Sequence, residues 1–426
     1  MSGLYLMVLP VPAFSCGDGA FEIESAFAEH LRMLKAVLGP LAETLVIAAP
    51  ELSSEARAKA ATRFARIEPQ RDGIHFHPMF PADLGRVAYL RALPRVLSAL
   101  YAEVKKADIV HASVSQLYRP FEFPALMMAS VLGKKTISVT DIDHRQSAWM
   151  NLETGRWSRR EYWVTRLLHD PFIHIQQVIG ARRCSLVLLK GQRMAADYGR
   201  GRSNVKYFLD SAFSDDHIIP RDRLDRKLAA LAAPGSNLEV IYFGRLVEYK
   251  GIDAMLHAVK RAVTQGARVR FQVIGAGPAE ADLMALAAQL ELGPAVAFVG
   301  ALPFGPPLFE RLYDAHVLLA APLSEDTPRS ALDACAMGQA ILSYDTYYYR
   351  ELAELGAPVE TVPWRDTDAL GDRLVQLDGD RARIAEMIRN GVAFARENTQ
   401  ESWLERRVTW TRALFDRPNG AASPPS

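Results

Sequence analysis

Short apolar stretches alternate with longer stretches of helical periodicity along most of this chain. In the N-terminal half, the apolar runs stand at residues 4–9, 44–48, 107–113, 135–141 and 184–189. In the C-terminal half they stand at 239–243, 269–274, 296–299, 316–320, 340–343 and 358–362. Most are followed by a segment with a period near 3.6 residues, as at 20–37. Near-continuous apolar strands separated by helices predict parallel sheets covered on both faces.

A charged stretch interrupts this alternation between residues 213 and 237. It contains "DRLDRKLAALAAPGSN", which ends in a cluster of turn-forming residues. We therefore expect two α/β domains, 1–212 and 238–398, with 213–237 as the linker between them. The tail over 417–426, "RPNGAASPPS", is rich in Pro and Ser and is expected to be disordered.

The composition of the 426 residues limits what the protein can do. Hydrophobic residues make up 49% and charged residues 23%, as in ordinary globular proteins. A net charge of +1 gives no electrostatic reason to expect a nucleic-acid partner. The three cysteines, Cys16, Cys184 and Cys335, are far apart and lack metal-ligand spacing, which is typical of a reducing compartment.

No apolar stretch approaches the roughly 20 residues that a membrane-spanning helix needs. The N-terminal run lacks a basic start and is broken by Pro10 and Pro12, which predicts a strand and not a signal peptide. We expect a cytoplasmic protein. The segment 156–183 mixes arginines with aromatic and branched residues. It either rests on an anionic membrane surface or packs on its own domain with its arginines extended outward.

Two cations follow the strand predicted at 239–243. Gly244 permits a turn there, and Arg245 and Lys250 precede the next helix. This arrangement suits a diphosphate, because Arg binds phosphate oxygens bidentately and a helix N-terminus adds backbone N–H groups. The alternative is two surface cations that flank a turn.

The stretch 321–338, "APLSEDTPRSALDACAMG", joins another predicted strand to a helix. We expect Thr327 as the N-cap and Pro328 as the first helical residue. The backbone N–H groups of Arg329 and Ser330 would then be donors at the helix N-terminus, where an anion can bind.

Two carboxylates flank this helix start. Glu325 is expected in the loop before the helix and Asp333 in its second turn. An acidic cap that favours the helix dipole would explain Glu325. It would not explain Asp333, which lies within a small apolar run. We therefore consider both as contacts for the hydroxyl groups of a ligand.

A glycine pair in "VIGAGPAEADL" partly matches a dinucleotide fingerprint. Gly275 and Gly277 fit, but Glu280 stands where the third glycine belongs. This favours a tight strand-to-helix turn over a nicotinamide site.

Four segments in order resemble the retaining glycosyltransferases of family four: "FGRLVEYKG", "VIGAGPAEADL", "VAFVGALP" and "APLSEDTPRSALDACAMGQAILSYD". The resemblance implies the GT-B fold, which is two Rossmann-like parallel-sheet domains facing a central cleft. The late "ESWLERRVTW" resembles the family's closing helix, so 399–416 is expected to return to the N-terminal, acceptor-binding domain. Residues 1–210 match only in the rhythm of strands and helices.

The resemblance also implies roles for residues. Gly244, Arg245 and Lys250 correspond to positions at the donor diphosphate. Glu325 is expected to contact the donor sugar and Asp333 the ribose hydroxyls, where relatives carry a glutamate that is one methylene longer. The implied donor is a UDP- or GDP-sugar, with UDP favoured. No separate cofactor and no metal are expected.

Two features after predicted strands have open interpretations. Relatives place a histidine near the donor sugar, and His144 is the candidate here; the alternative is an ordinary loop residue. The rings Tyr347, Tyr348 and Tyr349 stand where relatives have small residues. They either shape a sugar or acceptor pocket or pack the cleft between the domains.

The leading hypothesis from this resemblance is a retaining, metal-independent hexosyltransferase. It would act on a glycan or lipid-linked acceptor in the synthesis of a cell-surface polysaccharide or glycolipid. The alternatives are a GT-B epimerase or hydrolase of nucleotide sugars, a nicotinamide-dependent oxidoreductase, and a nucleotide-sugar-binding protein without turnover.

Overall fold

The computed structural model describes residues 3–60, 64–141, 143, 145 and 147–416, so the tail predicted to be disordered lies outside the described residues. The chain divides into two compact units. The first comprises Met1–Asp141, Trp163–Phe208 and Leu404–Ser426, and the second comprises Ile142–Tyr162 and Leu209–Trp403. No helix of the described residues is long and apolar enough to cross a membrane.

Strands occur in both units. Those of the described chain are β1 (Leu4–Val8), β2 (Phe14–Ser15), β3 (Phe21–Glu24), β4 (Thr44–Glu51), β5 (Phe64–Ile67), β6 (Ile74–Pro81), β7 (Ile109–Ala112), β8 (Lys135–Thr140), β9 (Leu186–Lys190), β10 (Val205–Phe208), β11 (Leu238–Phe243), β12 (Val269–Ile274), β13 (Val296–Gly300), β14 (Val317–Ala320), β15 (Ala340–Tyr344) and β16 (Val359–Val362).

Helices separate most of these strands. They are α1 (Ser25–Leu38), α2 (Ser54–Lys59), α3 (Pro69–Asp72), α4 (Arg86–Lys106), α5 (Glu122–Val131), α6 (Ser147–Glu153), α7 (Arg159–Val164), α8 (Asp170–Arg183), α9 (Gln192–Gly199), α10 (Arg221–Ala232), α11 (Ile252–Thr264), α12 (Glu280–Gln289), α13 (Pro306–Asp314), α14 (Arg329–Ala336), α15 (Tyr347–Glu354), α16 (Thr367–Gly379), α17 (Arg381–Glu397) and α18 (Gln400–Asp416). A π-helical turn at Thr165–His169 connects α7 and α8.

Each unit is built on a parallel sheet. The seven-stranded sheet of the first unit has the order β10-β9-β8-β7-β1-β4-β6, and the six-stranded sheet of the second has the order β13-β12-β11-β14-β15-β16. Strands β14 and β15 are buried at every position. Such strands are typical of a sheet with helices on both faces, which confirms the predicted α/β class.

Part of the predicted linker belongs to the second unit. Helix α10 lies within 213–237, and its Leu231 is buried in the core of that unit. The buried Nζ of Lys227 donates to the carbonyl oxygens of Met337 and Gly338, at 2.9 and 2.6 Å. The charged residues of this segment therefore belong to a helix that packs on the second unit, and not to a linker without packing.

Two other boundaries differ from the prediction. The segment Ile142–Tyr162 belongs to the second unit, although it was expected within 1–212. Helix α18 lies in the first unit from Leu404 onward, where Leu404 and Val408 join a buried cluster. Residues 399–403, which were expected to return to the N-terminal domain together with 404–416, belong to the second unit.

The helix predicted over 20–37 is wrong at its start. Its first residues form β3, which pairs antiparallel with β5. Phe21 and Ile23 are buried, whereas Glu22 is partly exposed and Glu24 exposed. This alternation has the period of a strand with one buried face, and the helix begins only at Ser25.

Candidate functional site

The strand order of the second sheet defines where a ligand is expected. Strand β11 pairs with β12 on one side and with β14 on the other. Strands β12 and β13 are added on the first side and β14, β15 and β16 on the second, so the strand order reverses at the β11–β14 pair. In open parallel sheets, ligands bind beyond the carboxyl ends of the strands at such a switch point. The loops that leave β11 and β14 at this edge cover residues 244–251 and 321–328.

These two loops are held together by backbone contacts. The N–H of Leu323 donates to the carbonyl oxygen of Tyr249 at 2.8 Å. Gly251 has a φ of +65°, and a Cβ at this position would lie 1.9 Å from the carbonyl oxygen of Ala321. Only glycine satisfies both the left-handed backbone and the close approach.

The glycines of the partial dinucleotide pattern have a similar structural reason. The N–H of Gly244 donates to the carbonyl oxygen of Ile274 at 3.0 Å. A Cβ at Gly275 would lie 1.8 Å from the carbonyl oxygen of Gly244, and one at Gly277 would lie 2.2 Å from that of Leu246. The glycines therefore allow two neighbouring loops to touch, as in the tight-turn interpretation.

The two cations of the first loop have different partners. The exposed Arg245 donates from Nη2 to the hydroxyl of Tyr249 at 2.8 Å. Lys250 is largely covered, and its Nζ lies 2.5 Å from Oδ2 of Asp326 in the second loop. The ion pair thus joins the two loops. Sequence reasoning missed Tyr249 and Asp326, whose only signal was their position next to Lys250 and Glu325.

Glu325 lies in the loop before α14, as expected, but its carboxylate has a local function. It accepts the backbone N–H of Tyr348 at 2.9 Å through Oε1 and that of Tyr347 at 3.3 Å through Oε2. These are donors of the first turn of α15. Glu325 therefore satisfies N–H groups at the start of a helix, although that helix is not the one that follows it in sequence.

Helix α14 begins one residue later than predicted. Pro328 is its N-cap, with extended backbone, and Arg329 its first residue, so the expected cap at Thr327 is wrong. The exposed Arg329 donates from Nε to Asp210 at 2.8 Å. Ser330 lines a cavity of about 20 Å³ together with Lys250 and Asp326. This volume holds about one water molecule. A larger ligand would therefore lie outside the cavity, over the carboxyl edge of the second sheet.

Asp333 is buried in the second turn of α14, with only 5% of its surface exposed. Its Oδ1 has no hydrogen-bond partner among the described residues. Burial raises the pKa of Asp333 to about 7; the positive charge of Arg329 opposes this and the negative charge of Asp210 reinforces it. An unpaired carboxylate oxygen at this depth is unfavourable unless a donor reaches it.

The three consecutive tyrosines divide by burial. Tyr348 and Tyr349 are buried and pack edge to face, with ring centroids 5.4 Å apart. The hydroxyl of Tyr348 donates to the carbonyl oxygen of Pro328 at 3.0 Å, which ties α15 to the start of α14. Tyr347 is only partly buried. Two of the rings therefore pack within the second unit. His144 lies outside the described residues.

Comparison with known proteins shows a similarity to glycosyltransferases. Residues 225–393 match the family model of glycosyl transferases group 1. The putative colanic acid biosynthesis glycosyltransferase WcaL of Salmonella typhimurium is 31% identical over 186 residues, which cover 42% of this chain and 45% of that protein. The match thus spans less than half the length of this relative.

Solved structures resemble the chain over most of its length. Anabaena Alr3699/HepE, in complex with UDP, has a TM-score of 0.61 and 14% identity, over 96% of this chain and 99% of that one. Sucrose-phosphate synthase of Thermosynechococcus elongatus has a TM-score of 0.63 and 14% identity, over 97% and 99% of the two chains. The expected GT-B fold is confirmed.

Proposed function

We propose that this protein is a glycosyltransferase whose nucleotide-sugar donor binds at the carboxyl edge of the second sheet. The observation that carries the proposal is the arrangement at the β11–β14 switch point. Arg245 and Lys250 lie in one loop, and Asp333 keeps an unpaired, buried carboxylate oxygen on the helix after the other. All three lie in the segment similar to glycosyl transferases group 1.

These residues suit the parts of a nucleotide sugar. The bond between C1 of the sugar and the diphosphate oxygen breaks during transfer. Arg245 and Lys250 would neutralise the negative charge that the diphosphate gains as it leaves. Lys250 would exchange Asp326 for phosphate oxygens. The Oδ1 of Asp333 would accept hydrogen bonds from ribose hydroxyls, which compensates for the burial of the carboxylate. Glu325, oriented by the two amides of α15, would contact the donor sugar.

The finer features of the reaction are part of the proposal. The donor is a UDP-hexose, an expectation supported by the UDP bound in the structurally similar Anabaena protein. The acceptor oxygen attacks C1 on the face from which UDP departs, and the acceptor's proton passes to the departing phosphate oxygen. The product keeps the anomeric configuration, and no metal is required. The name of the Salmonella relative supports a role in polysaccharide synthesis. The proposed acceptor is a glycan or a lipid-linked glycan, and the proposed location is the cytoplasm.

Nucleotide binding tests this proposal directly. The melting temperature of the full chain is measured with UDP, GDP, ADP, CMP and NAD. We expect UDP to raise it and Arg245→Gln to abolish the increase. Arg311→Gln is the matched control, because it removes an exposed arginine from α13. Stabilisation by NAD alone would contradict the proposal and favour the oxidoreductase alternative.

Product analysis separates transfer from the other reactions. The UDP-hexose is incubated with and without acceptor, and the products are identified by NMR. Transfer gives a glycoside with the anomeric configuration of the donor. Free sugar and UDP without any glycoside would indicate a hydrolase, and an altered nucleotide sugar would indicate an epimerase. Binding without any product would indicate a binding protein.

A membrane contact also belongs to this proposal. In the first unit, Leu167, Leu168 and Ile175 are each more than half exposed, and Arg182 and Arg183 are exposed at the end of the same helical segment. Exposed apolar side chains beside arginines suit an anionic lipid surface, where a lipid-linked acceptor resides. Leu167→Glu is expected to reduce co-sedimentation with phosphatidylglycerol vesicles. Equal sedimentation of both proteins would contradict this contact.

A further inference from the structure

Three cations surround the side chain of Tyr249 in the second unit. The guanidinium carbon of Arg156 lies 5.2 Å from the centre of the ring, and Nζ of Lys250 lies 5.3 Å from it. Both are within the range of cation–π attraction. The third, Arg245, donates to the Tyr249 hydroxyl. We call Arg156, Arg245, Tyr249 and Lys250 the Tyr249 cluster.

Arg156 lies in the segment 142–162, and Asn151 of the same segment holds its side chain in place. Its Nη1 donates to Oδ1 of the buried Asn151 at 2.8 Å. The backbone N–H of Trp157 donates to the carbonyl oxygen of the same asparagine at 3.0 Å. The guanidinium is therefore anchored at one nitrogen and at the ring, and its remaining N–H groups stay available to a ligand.

The helix before Arg156 is fixed to the edge of the second sheet. Trp149 of α6 packs on Trp364, with ring centroids 5.0 Å apart. Nη1 of Arg365 donates to the carbonyl oxygen of Glu153 at 3.0 Å. Trp364 in turn donates from Nε1 to the carbonyl oxygen of Pro322 in the loop after β14. The same loop that carries Asp326 thus supports the segment that carries Arg156.

The charge of the Tyr249 cluster is unbalanced. Lys250 pairs with Asp326, whereas neither Arg156 nor Arg245 has an ion-pair partner among the described residues. Three cations and one carboxylate leave a charge of +2 around one ring. A bound anion of two negative charges would neutralise it, and the diphosphate of a nucleotide sugar carries two.

We propose that Arg156 is a third cationic ligand of the donor diphosphate, acting beside Arg245 and Lys250. This inference rests on the proposed function and adds a binding residue to it. The fork of N–H groups suits a phosphate oxygen pair, and the Tyr249 ring sets the orientation of the fork. The segment 142–162 therefore contributes to the nucleotide site of the second unit.

Calorimetric titration of the full chain with UDP tests the inference. Arg156→Gln is expected to weaken UDP binding by about tenfold, as for the loss of a hydrogen bond to a charged group. Uridine, which lacks phosphate, should bind wild type and variant equally. Arg156→Lys should recover part of the affinity, because it restores the charge without the fork. Arg160→Gln, which removes an exposed arginine four residues later, should leave UDP binding unchanged.

The outcomes separate this inference from the proposed function. Wild type that binds UDP, with Arg245→Gln weakened and Arg156→Gln unchanged, overturns the role of Arg156 alone. The same holds if Arg156→Gln changes only the KM for the acceptor. A wild type that binds none of UDP, GDP and ADP removes the proposed function and this inference together. Ligand-free Arg156→Gln is expected to melt slightly below the wild type, because Oδ1 of the buried Asn151 loses its donor, and the uridine titration shows whether the site itself stays intact.

Discussion

The ammonium of Lys250 lies 2.5 Å from the carboxylate of Asp326, and both side chains are mostly covered, with 16% and 26% exposed. The pair joins the loops that leave β11 and β14. It also means that a cation proposed to bind phosphate is already neutralised by the protein. An incoming diphosphate must therefore compete with Asp326 for Lys250.

This competition predicts that Asp326→Asn binds UDP more tightly than the wild type. The asparagine oxygen can still accept from Lys250, so the loop contact is kept while a negative charge near the phosphates is removed. A gain of about 1 kcal/mol, or about fivefold in the dissociation constant, is expected at low salt and less at high salt. Glu248→Gln, an exposed carboxylate of the same loop, should change the constant less than twofold. Weaker binding by Asp326→Asn would indicate that its charge is needed to orient Lys250.

The second sheet could be predicted from the sequence because its strands are almost continuously apolar. β11, β14 and β15 have few polar positions and lie at the runs identified along the chain. β2, β3 and β5 were missed because they are short and belong to a small antiparallel sheet. In β3 the buried positions alternate, and a four-residue alternation cannot be separated from the start of a helix.

The candidate site was predictable in residue type but not in its contacts. Asp333 was chosen as a candidate ligand contact because it lies within a small apolar run, and the structure shows that it is buried. By contrast, the amides that Glu325 accepts belong to Tyr347 and Tyr348, more than 20 residues away. The same is true of Arg156 and Tyr249, which meet through the docking of α6. Such contacts depend on tertiary packing, which a local pattern does not report.

The approach of Gly251 to Ala321 predicts a strong effect of a single methyl group. Gly251→Ala combines a left-handed backbone with a Cβ 1.9 Å from a carbonyl oxygen, so the two site loops must separate. We expect a loss of at least about 2 kcal/mol in the free energy of unfolding, measured in urea, together with loss of UDP binding.

Gly266→Ala is the matched control for Gly251→Ala. Gly266 also has a positive φ, of +89°, but a Cβ there has no heavy atom within 4 Å. Its cost should be limited to the backbone term, about 1 kcal/mol, with UDP binding retained. Equal losses for the two variants would contradict the steric role of the contact between the loops.

Glu325→Gln is predicted to separate binding from turnover. The glutamine oxygen can still accept the N–H of Tyr348, so the free energy of unfolding should fall by no more than about 1 kcal/mol. UDP affinity should stay within about twofold, because the proposed contact is with the sugar and not the nucleotide. The rate of transfer should fall by about two orders of magnitude. Glu354→Gln, at the exposed end of α15, should have neither effect. Unchanged turnover in Glu325→Gln would refute the sugar contact.

Asp333→Asn is predicted to stabilise the folded protein and to weaken the binding of UDP. The pKa of Asp333 is about 7 in the folded protein, above the ordinary 3.8, because burial disfavours the charged form. The folded state therefore binds more protons than the unfolded state between these values, and the contribution of Asp333 to stability falls as the pH rises from about 4 to about 7. At pH 8 the wild type carries a buried, partly unpaired charge that the asparagine lacks.

Urea unfolding at pH 5 and pH 8 measures this difference. Asp333→Asn should exceed the wild type by on the order of 2 kcal/mol at pH 8 and by much less at pH 5. Glu122, whose pKa burial also raises to about 7, is present in both proteins, so its contribution cancels. Asp225→Asn, an exposed carboxylate of α10, should give no such difference. UDP binding should weaken in Asp333→Asn but not in Asp225→Asn. At position 333 the amide would offer one acceptor oxygen to the ribose, whereas the carboxylate offers two. A variant that is less stable than the wild type at pH 8 would indicate that Asp333 is protonated or paired in the folded protein, and that the ribose is bound elsewhere.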